Sequence, residues 1–243
     1  MKLLTDQKMR TIDAITANSE SALFPAANLL QYDPDLIFMP ESFASAVSLV
    51  LDLAVASAIP FIWLNNANFL NVTIQANASD TWTSPAVSKD VVLADDKAGI
   101  YKGFFALSEA EYRYVRLVIP VQTLLFGDSL PFLGNVIIGE AQELLASTWE
   151  PSLLERVDSF ESDGGGYTEN RPGKSRHVFP MSMSGVTCVE VDSAPLKHWN
   201  FAILFTDLVT VADSYLVYPP AEKRLRVRSQ IDCDFDYVLR EHA

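Results

Sequence analysis

Residues 45–69 read SAVSLVLDLAVASAIPFIWLNNANF, an apolar run with one carboxylate, Asp52, near its centre and asparagines at its end. Its first part alternates: Val47, Leu49, Leu51 and Leu53 fall on one side of an extended chain, and Ser48, Val50 and Asp52 on the other. That two-residue period predicts a strand over 46–53, and the β-branched run after it a second strand over 59–64. Residues 112–119 (YRYVRLVI) carry the same period, with Tyr112, Tyr114, Arg116 and Val118 on one face and Arg113, Val115, Leu117 and Ile119 on the other. Pro25, Pro34 and Pro40 exclude a long helix upstream. A chain patterned in this way must build a sheet with one buried side.

Shorter strands are predicted at 71–76 (NVTIQA), 91–93, 103–107 and 133–140, with an opening strand in 11–24. Asn65, Asn66, Ala67 and Asn68 read as a turn, because asparagine tolerates left-handed backbone. The composition changes after Glu150: 150–163 is polar and Gly164, Gly165 and Gly166 form a glycine run. The predicted division is therefore a β domain at 1–150 and a second domain at 151–243. In the latter, 177–191, 214–218 and 225–239 read as strands. Ser193 is placed to cap a helix over 194–208 whose apolar face is Leu196, Trp199, Ile203 and Leu204. The second domain is accordingly expected to be a small α+β unit.

With 243 residues, 49% of them hydrophobic and 20% charged, the chain can bury a core without disulfides or metals. Its net charge of −13 opposes binding to a phosphate backbone, so no nucleic-acid partner is expected. Residues 43–64 approach the length of a membrane span but contain Asp52, Pro60 and several serines, so no span is expected. The start, MKLLTDQKMR, lacks the apolar core of a secretory leader. Cys188 and Cys233 read as buried thiols, and whether they are bonded is not settled by sequence. His177, His198 and His242 lie at no zinc-ligand spacing to either. There is no G-x-S-x-G elbow, and GGGY lacks the lysine of a phosphate loop, so no enzyme is expected.

Four groups of residues carry chemistry. Asp52 with Arg113 or Arg116 reads as a structural ion pair joining two strands and facing the sandwich interior. Asn65, Asn66 and Asn68 with Trp82 form a candidate glycan site, in which the indole is a platform for a sugar's apolar face and the amides bond its hydroxyls. Trp63, inside a strand, is assigned to the core. Arg171, Lys174 and Arg176 are a short basic patch that would dock an acidic partner. Asp232, Asp234 and Asp236 alternate with Cys233 and Phe235, which puts three like charges on one face of a strand. A calcium ion or a basic surface would relieve them, but no cofactor is assigned.

The order of these features in the first half resembles the galactose-binding-like, or discoidin-type, β-sandwich. The features are a strand ending in LDL, an apolar strand running into asparagines, a third strand, Trp82, and YRYVRLVI. The second half extends the likeness with NVIIGEA, the segment from Ser162 to Gly166, RPGKSR and SYLVYPP, an order similar to that of minor tail proteins of tailed bacteriophages. The aromatic-glycine pair that usually follows the sandwich in that family has no counterpart here. The resemblance implies a mainly β jelly-roll sandwich followed by a tail-docking domain, located in the virion tail. It implies oligomeric assembly with tail tube, tail tip and fibre proteins, and contact with host-surface polysaccharide. It places recognition on loops at one end of the sandwich and permits calcium. The alternative is a stand-alone carbohydrate-binding module of a cell-surface or hydrolase complex.

Overall fold

A computed structural model describes residues 2–5, 8–31, 36–95, 100–143, 148–149, 152–154, 157–161, 168–172, 176–186, 202–205, 214–218, 223–227 and 233–241. Two compact units make up the chain. One is Lys8–Ala141 with Thr206–Ser214; the other is Met1–Gln7, Gln142–Phe205 and Tyr215–Ala243. The first unit thus runs to Ala141, where composition places a boundary near residue 150. The described elements are antiparallel strands and short 3-10 turns, so the chain is mainly β. No helix among the described residues is long and apolar enough to cross a membrane.

In chain order the strands begin with β1 (Lys2–Thr5), which belongs to the second unit, and continue in the first with β2 (Ala14–Ala17), β3 (Val47–Ala67) and β4 (Asn71–Asn77). Then follow β5 (Val87–Val92), β6 (Ala94–Asp95), β7 (Tyr101–Ile119) and β8 (Leu133–Gly139). The first unit's sheet has the order β2-β3-β7-β4-β5, with β6 paired to β7 and β8 paired to β3. The two strands predicted over 46–53 and 59–64 are one, and so are those predicted over 103–107 and 112–119. The ladder bends instead of breaking. Asp52 pairs with Tyr114 and Ser57 with Tyr112, so four residues of β3 stand opposite Arg113 alone; Ala54 takes φ 60° within this bulge. Pro60, which cannot donate to a ladder, follows directly after the irregular stretch.

Register shows that this bend folds the ladder back on itself. A straight 21-residue strand would separate Val47 from Ala67 by roughly 65 Å at about 3.3 Å per residue. Yet Val47 pairs with Ile119, and Gln122, just beyond it, accepts the amides of Leu70 and Asn71, just beyond Ala67. Leu125 likewise donates its amide to the Asn68 carbonyl. The ends of β3 therefore meet at one end of the unit, the open end, and residues 53–57 form the other, the folded end. The first layer holds β2, Val47–Asp52, the 114–119 part of β7, β4 and β5; the second holds the 59–67 part of β3, the 101–108 part of β7, and β8.

The core lies between the layers. Val47, Leu49, Leu51, Val72, Ile74, Val115, Leu117 and Ile119 of the first layer share one buried cluster with Ile59, Ile62, Leu64, Phe105, Val136 and Ile138 of the second. The alternation expected holds over 47–53 and 114–119; at the bulge it reverses, with Tyr112 packed against the core and Arg113 turned outward to Asp52. Part of the second layer's outer side is buried as well: Trp63, Phe104 and Ile137 are outside the cluster yet buried, whereas Phe61 and Asn65 are half-buried and Ala106 is exposed. The outer side of the first layer is half-buried along its length and is lined by Val50, Asp52, Thr73, Gln75, Tyr114, Arg116 and Val118. Asn65 and Asn66 lie within β3, not in a turn, and Asn66 supplies a second left-handed residue at φ 57°.

The second unit comprises β1 with β9 (Gln142–Glu143), β10 (Thr148–Trp149), β11 (Ser152–Leu154), β12 (Val157–Glu161), β13 (Thr168–Pro172) and β14 (Arg176–Val186). Its later strands are β15 (Ala202–Phe205), β16 (Ser214–Tyr218), β17 (Lys223–Val227) and β18 (Cys233–Glu241). One sheet has the order β10-β14-β18-β16-β15-β1-β9, joined by β11 and β17, and β12 pairs with β13 separately. Part of the helix predicted over 194–208 is a strand: Ala202–Phe205 pairs with Lys2–Thr5, and an apolar AILF segment satisfies a ladder as readily as a helix face. Residues 194–201 lie outside the described residues.

The chain enters and leaves the first unit beside the end of β8. Met9 bridges Gly139, and a Cβ on Gly139 would lie 2.5 Å from the Lys8 carbonyl oxygen and 3.0 Å from the Met9 Cα. Backbone atoms cannot yield as a flexible side chain can. Gly139→Ala is expected to lower unfolding free energy by about 1–3 kcal/mol in urea titration, the usual cost of overpacking; an unchanged midpoint would show that the two segments separate freely.

Candidate functional site

Arg113 and Asp52 form a two-pronged pair at the folded end: Nε donates to Oδ1 and Nη2 to Oδ2, both at 2.8 Å. Asp52 Oδ1 also accepts the Ala54 amide at 2.8 Å, so one carboxylate holds the partner strand and closes the bulge. The expected placement in the sandwich interior is not what is found. Asp52 lies on the outer parity of β3, and its side chain is 23% exposed and that of Arg113 42%. The Arg113 guanidinium holds the Asp52 carboxyl below the usual carboxylate range, against a smaller opposing effect of burial. Arg113 in turn has its pKa raised, first by this hydrogen bond.

Arg116 does not share Asp52. Its Nε and Nη2 both donate to Gln75 Oε1, at 2.8 and 2.6 Å, and its guanidinium lies over the Trp82 ring, 4.6 Å from the centroid. The reason is register: Arg116 stands between Val50 of β3 and Gln75 of β4, two residues along from Tyr114 and Asp52. Burial lowers the Arg116 pKa from its ordinary value, with Asp80 opposing. Trp82 is fixed at its edge too, since its indole N–H donates to Asp80 Oδ1 at 2.6 Å. Its loop is tied by Asn77, whose amide donates to the Thr81 carbonyl at 2.6 Å. Gln75 continues the row to Ser88 at 3.2 Å, and Arg113 lies 5.0 Å from the centre of the Tyr114 ring.

The expected glycan set is divided between the two ends. Asn77, at the end of β4 that leads to Trp82, pairs with Tyr114, while Asn68 precedes the other end of β4. Seven residues of strand, roughly 20 Å, separate them. Asn68 is also fully committed. It is 0% exposed, donates to Asp128 Oδ2 and the Leu130 carbonyl at 2.9 and 3.0 Å, and accepts the Phe132 amide at 2.8 Å. Asn65 pairs with Asn135 across β3 and β8, and the Asn66 side chain fills the space a Cβ on Gly134 would need. Of the four, only Trp82 stands on the outer face of the first layer. Trp63, assigned to the core, is buried but lies outside the cluster between the layers.

The 120–132 loop braced by Asn68 and Gln122 presents Phe126 at the open end, 73% exposed and left-handed at φ 59°. Sequence reasoning missed both Phe126 and Gln75. A signal for Gln75 existed: Thr73, Gln75 and Asn77 are the polar alternates of β4, and β4 was predicted. Phe126 had none, since its exposure depends on two amides sixty residues away in the chain or at the loop's own start.

In the second unit, Arg171 stands opposite Asp158 and Arg176 opposite Leu154; Lys174 lies outside the described residues. Register places Arg224 opposite Asp236 and Arg226 opposite Asp234, so the row of aspartates is flanked by a row of arginines; Asp232 and Cys188 lie outside the described residues. Among the described residues no group of three or more histidines, cysteines or acids is arranged to hold a metal ion.

Two outcomes follow. The lowered carboxyl of Asp52 contributes stability that is complete above its unfolded value of about 4 and is lost as pH falls through the folded value. Melting curves of wild type and Asp52→Asn should differ by a constant amount above about pH 5 and converge on acidification; a difference that persists to the acid limit would show that the charge is irrelevant. Asn68→Ala should cost about 1–3 kcal/mol, because the Phe132 amide is left without its acceptor, and it should leave any ligand affinity of the Trp82 face unchanged.

No protein-family model matches the chain, and no curated protein matches it. Solved structures do. The family 32 carbohydrate-binding module of NanJ from C. perfringens, in complex with galactose, is similar at 12% identity over 55% of this chain and 98% of that one, with a TM-score of 0.45. The lectin binding domain of lectinolysin complexed with Lewis b is similar at 11% identity over 56% and 97%, TM-score 0.45. A Ruminococcus gnavus fucosidase in complex with fucose is similar at 9% identity over 57% of this chain and 28% of its own, TM-score 0.47.

Proposed function

We propose that the chain acts by binding, not catalysis, and that its first unit is a galactose-binding-like carbohydrate-recognition module centred on Trp82. The observation that carries this reading is an indole held on one edge by Asp80 and on one face by Arg116, on the outer side of a sheet. Gln75 braces it through Arg116, and Asn77 through Thr81. A pyranose ring offers an apolar C–H face and a rim of hydroxyls, which an aromatic plate and nearby hydrogen-bonding groups complement. Clamping the plate before the ligand arrives removes part of the ordering cost of binding. A stand-alone module of a cell-surface or hydrolase complex is the form this reading takes.

A phage-tail role is the second reading, favoured by the division into two units, one of which would dock into an assembly through residues such as Arg171, Lys174 and Arg176. Addition of tail tube or tip proteins should then convert a monomer into a stoichiometric complex; a free module binds glycan as a monomer. For the module, Trp82→Ala in the full chain should weaken glycan binding about tenfold or more in isothermal titration, the scale of losing an aromatic anchor, with little change in melting temperature. Equal affinities for the variant and wild type, or silence of both on a broad glycan array, would overturn it.

A further inference from the structure

The guanidinium of Arg116 is only partly used. Nε and Nη2 form its side edge, and both point at the single oxygen Gln75 Oε1. Its remaining edge, Nη1 with the second hydrogen of Nη2, has no acceptor among the described residues. The other arginines of this unit end on carboxylates: Arg10 on Glu140 and Arg113 on Asp52. Arg116 alone of the three ends on a neutral amide. Asp80, the acid that bears on it, makes no hydrogen bond to it and takes the Trp82 indole N–H on one oxygen, keeping its charge. A half-buried guanidinium stays charged, and its open edge has the spacing of a carboxylate's two oxygens.

We propose that this edge receives the carboxylate of an acidic sugar, a uronate or a sialate, bound beside Trp82. The inference rests on the carbohydrate reading above and narrows it to a ligand class. Gln75 is the positioning residue: it takes the side edge of the guanidinium, is itself anchored through Ser88, and leaves the end edge without a bond. The Arg113–Asp52 pair beside it is closed on itself and contributes no second anion site.

Paired probes that differ only in the charge test this in the full-length chain: oligogalacturonate against its methyl ester, and sialyllactose against lactose. The acid member of at least one pair should bind about tenfold or more tightly than its neutral partner, the scale of a charge-assisted hydrogen-bonded pair. Arg116→Gln should bring that ratio close to one, and Arg116→Lys, which keeps the charge but not the fork, should leave an intermediate ratio. The wild-type ratio needs no variant and so survives a misfolded one. Acid and neutral members bound equally by the wild type, or a ratio unaltered in both variants, would overturn the inference while leaving the carbohydrate reading in place. Binding to none of the four probes and to no other glycan would overturn both.

Discussion

The folded-back ladder of β3 and β7 is the constraint from which the rest of the first unit follows. Two long strands that bend together supply both layers of a sandwich, so the core forms between halves of the same pair. The bend needs extra residues on β3, a left-handed Ala54, and something to hold the splayed backbone. Asp52 does the holding: one oxygen accepts the Ala54 amide, and both accept Arg113 from the strand opposite. Because the corner is solvent-accessible, neither charge loses its full hydration, and the pair avoids the desolvation cost that a buried one carries.

That corner also decides which surface is available. Folding brings the loops carrying Phe126 and Gln122 to the open end, and leaves the Trp82 loop near the bend on the outer side of the first layer. The second layer's outer side is already buried at Trp63, Phe104 and Ile137. A ligand approaching a sheet face of this unit therefore meets Tyr114, Arg116, Gln75 and Trp82, whereas one approaching the open end meets Phe126. The first surface is amphipathic and hydrogen-bonding, and the second is apolar.

How much of this was legible in the sequence depends on the range of the interaction. Inward and outward parity at 47–53 and 114–119 could be read because it depends only on neighbours in the chain. The partner of Asp52 was narrowed to Arg113 or Arg116 but not chosen, since a bulge shifts register by residues that no alternation counts. The same shift joined pairs of predicted strands into single ones. The asparagines failed as a site for a different reason. Clustering in sequence suggested a shared role, but a buried amide such as Asn68 is used by whatever backbone lies near it, here Leu130 and Phe132. The helix predicted over 194–208 misread AILF because apolar periodicity over four residues does not separate helix from strand.

Net charge and local chemistry point in opposite directions at Arg116, and the conflict is informative. A chain of net charge −13 repels anions over the last stretch of their approach, within about the 8 Å Debye length of physiological salt, and salt screens it beyond that. An acidic sugar would therefore not be steered to this face; it would be selected only on contact, by the fork of one guanidinium. Raising ionic strength screens the repulsion along the approach as well as the attraction at the fork. The association rate should then rise with salt while dissociation quickens, leaving the affinity much flatter in salt than for a basic anion-binding surface, where both effects have the same sign. Such a receptor discriminates by geometry, and its discrimination survives at salt concentrations that abolish electrostatic steering.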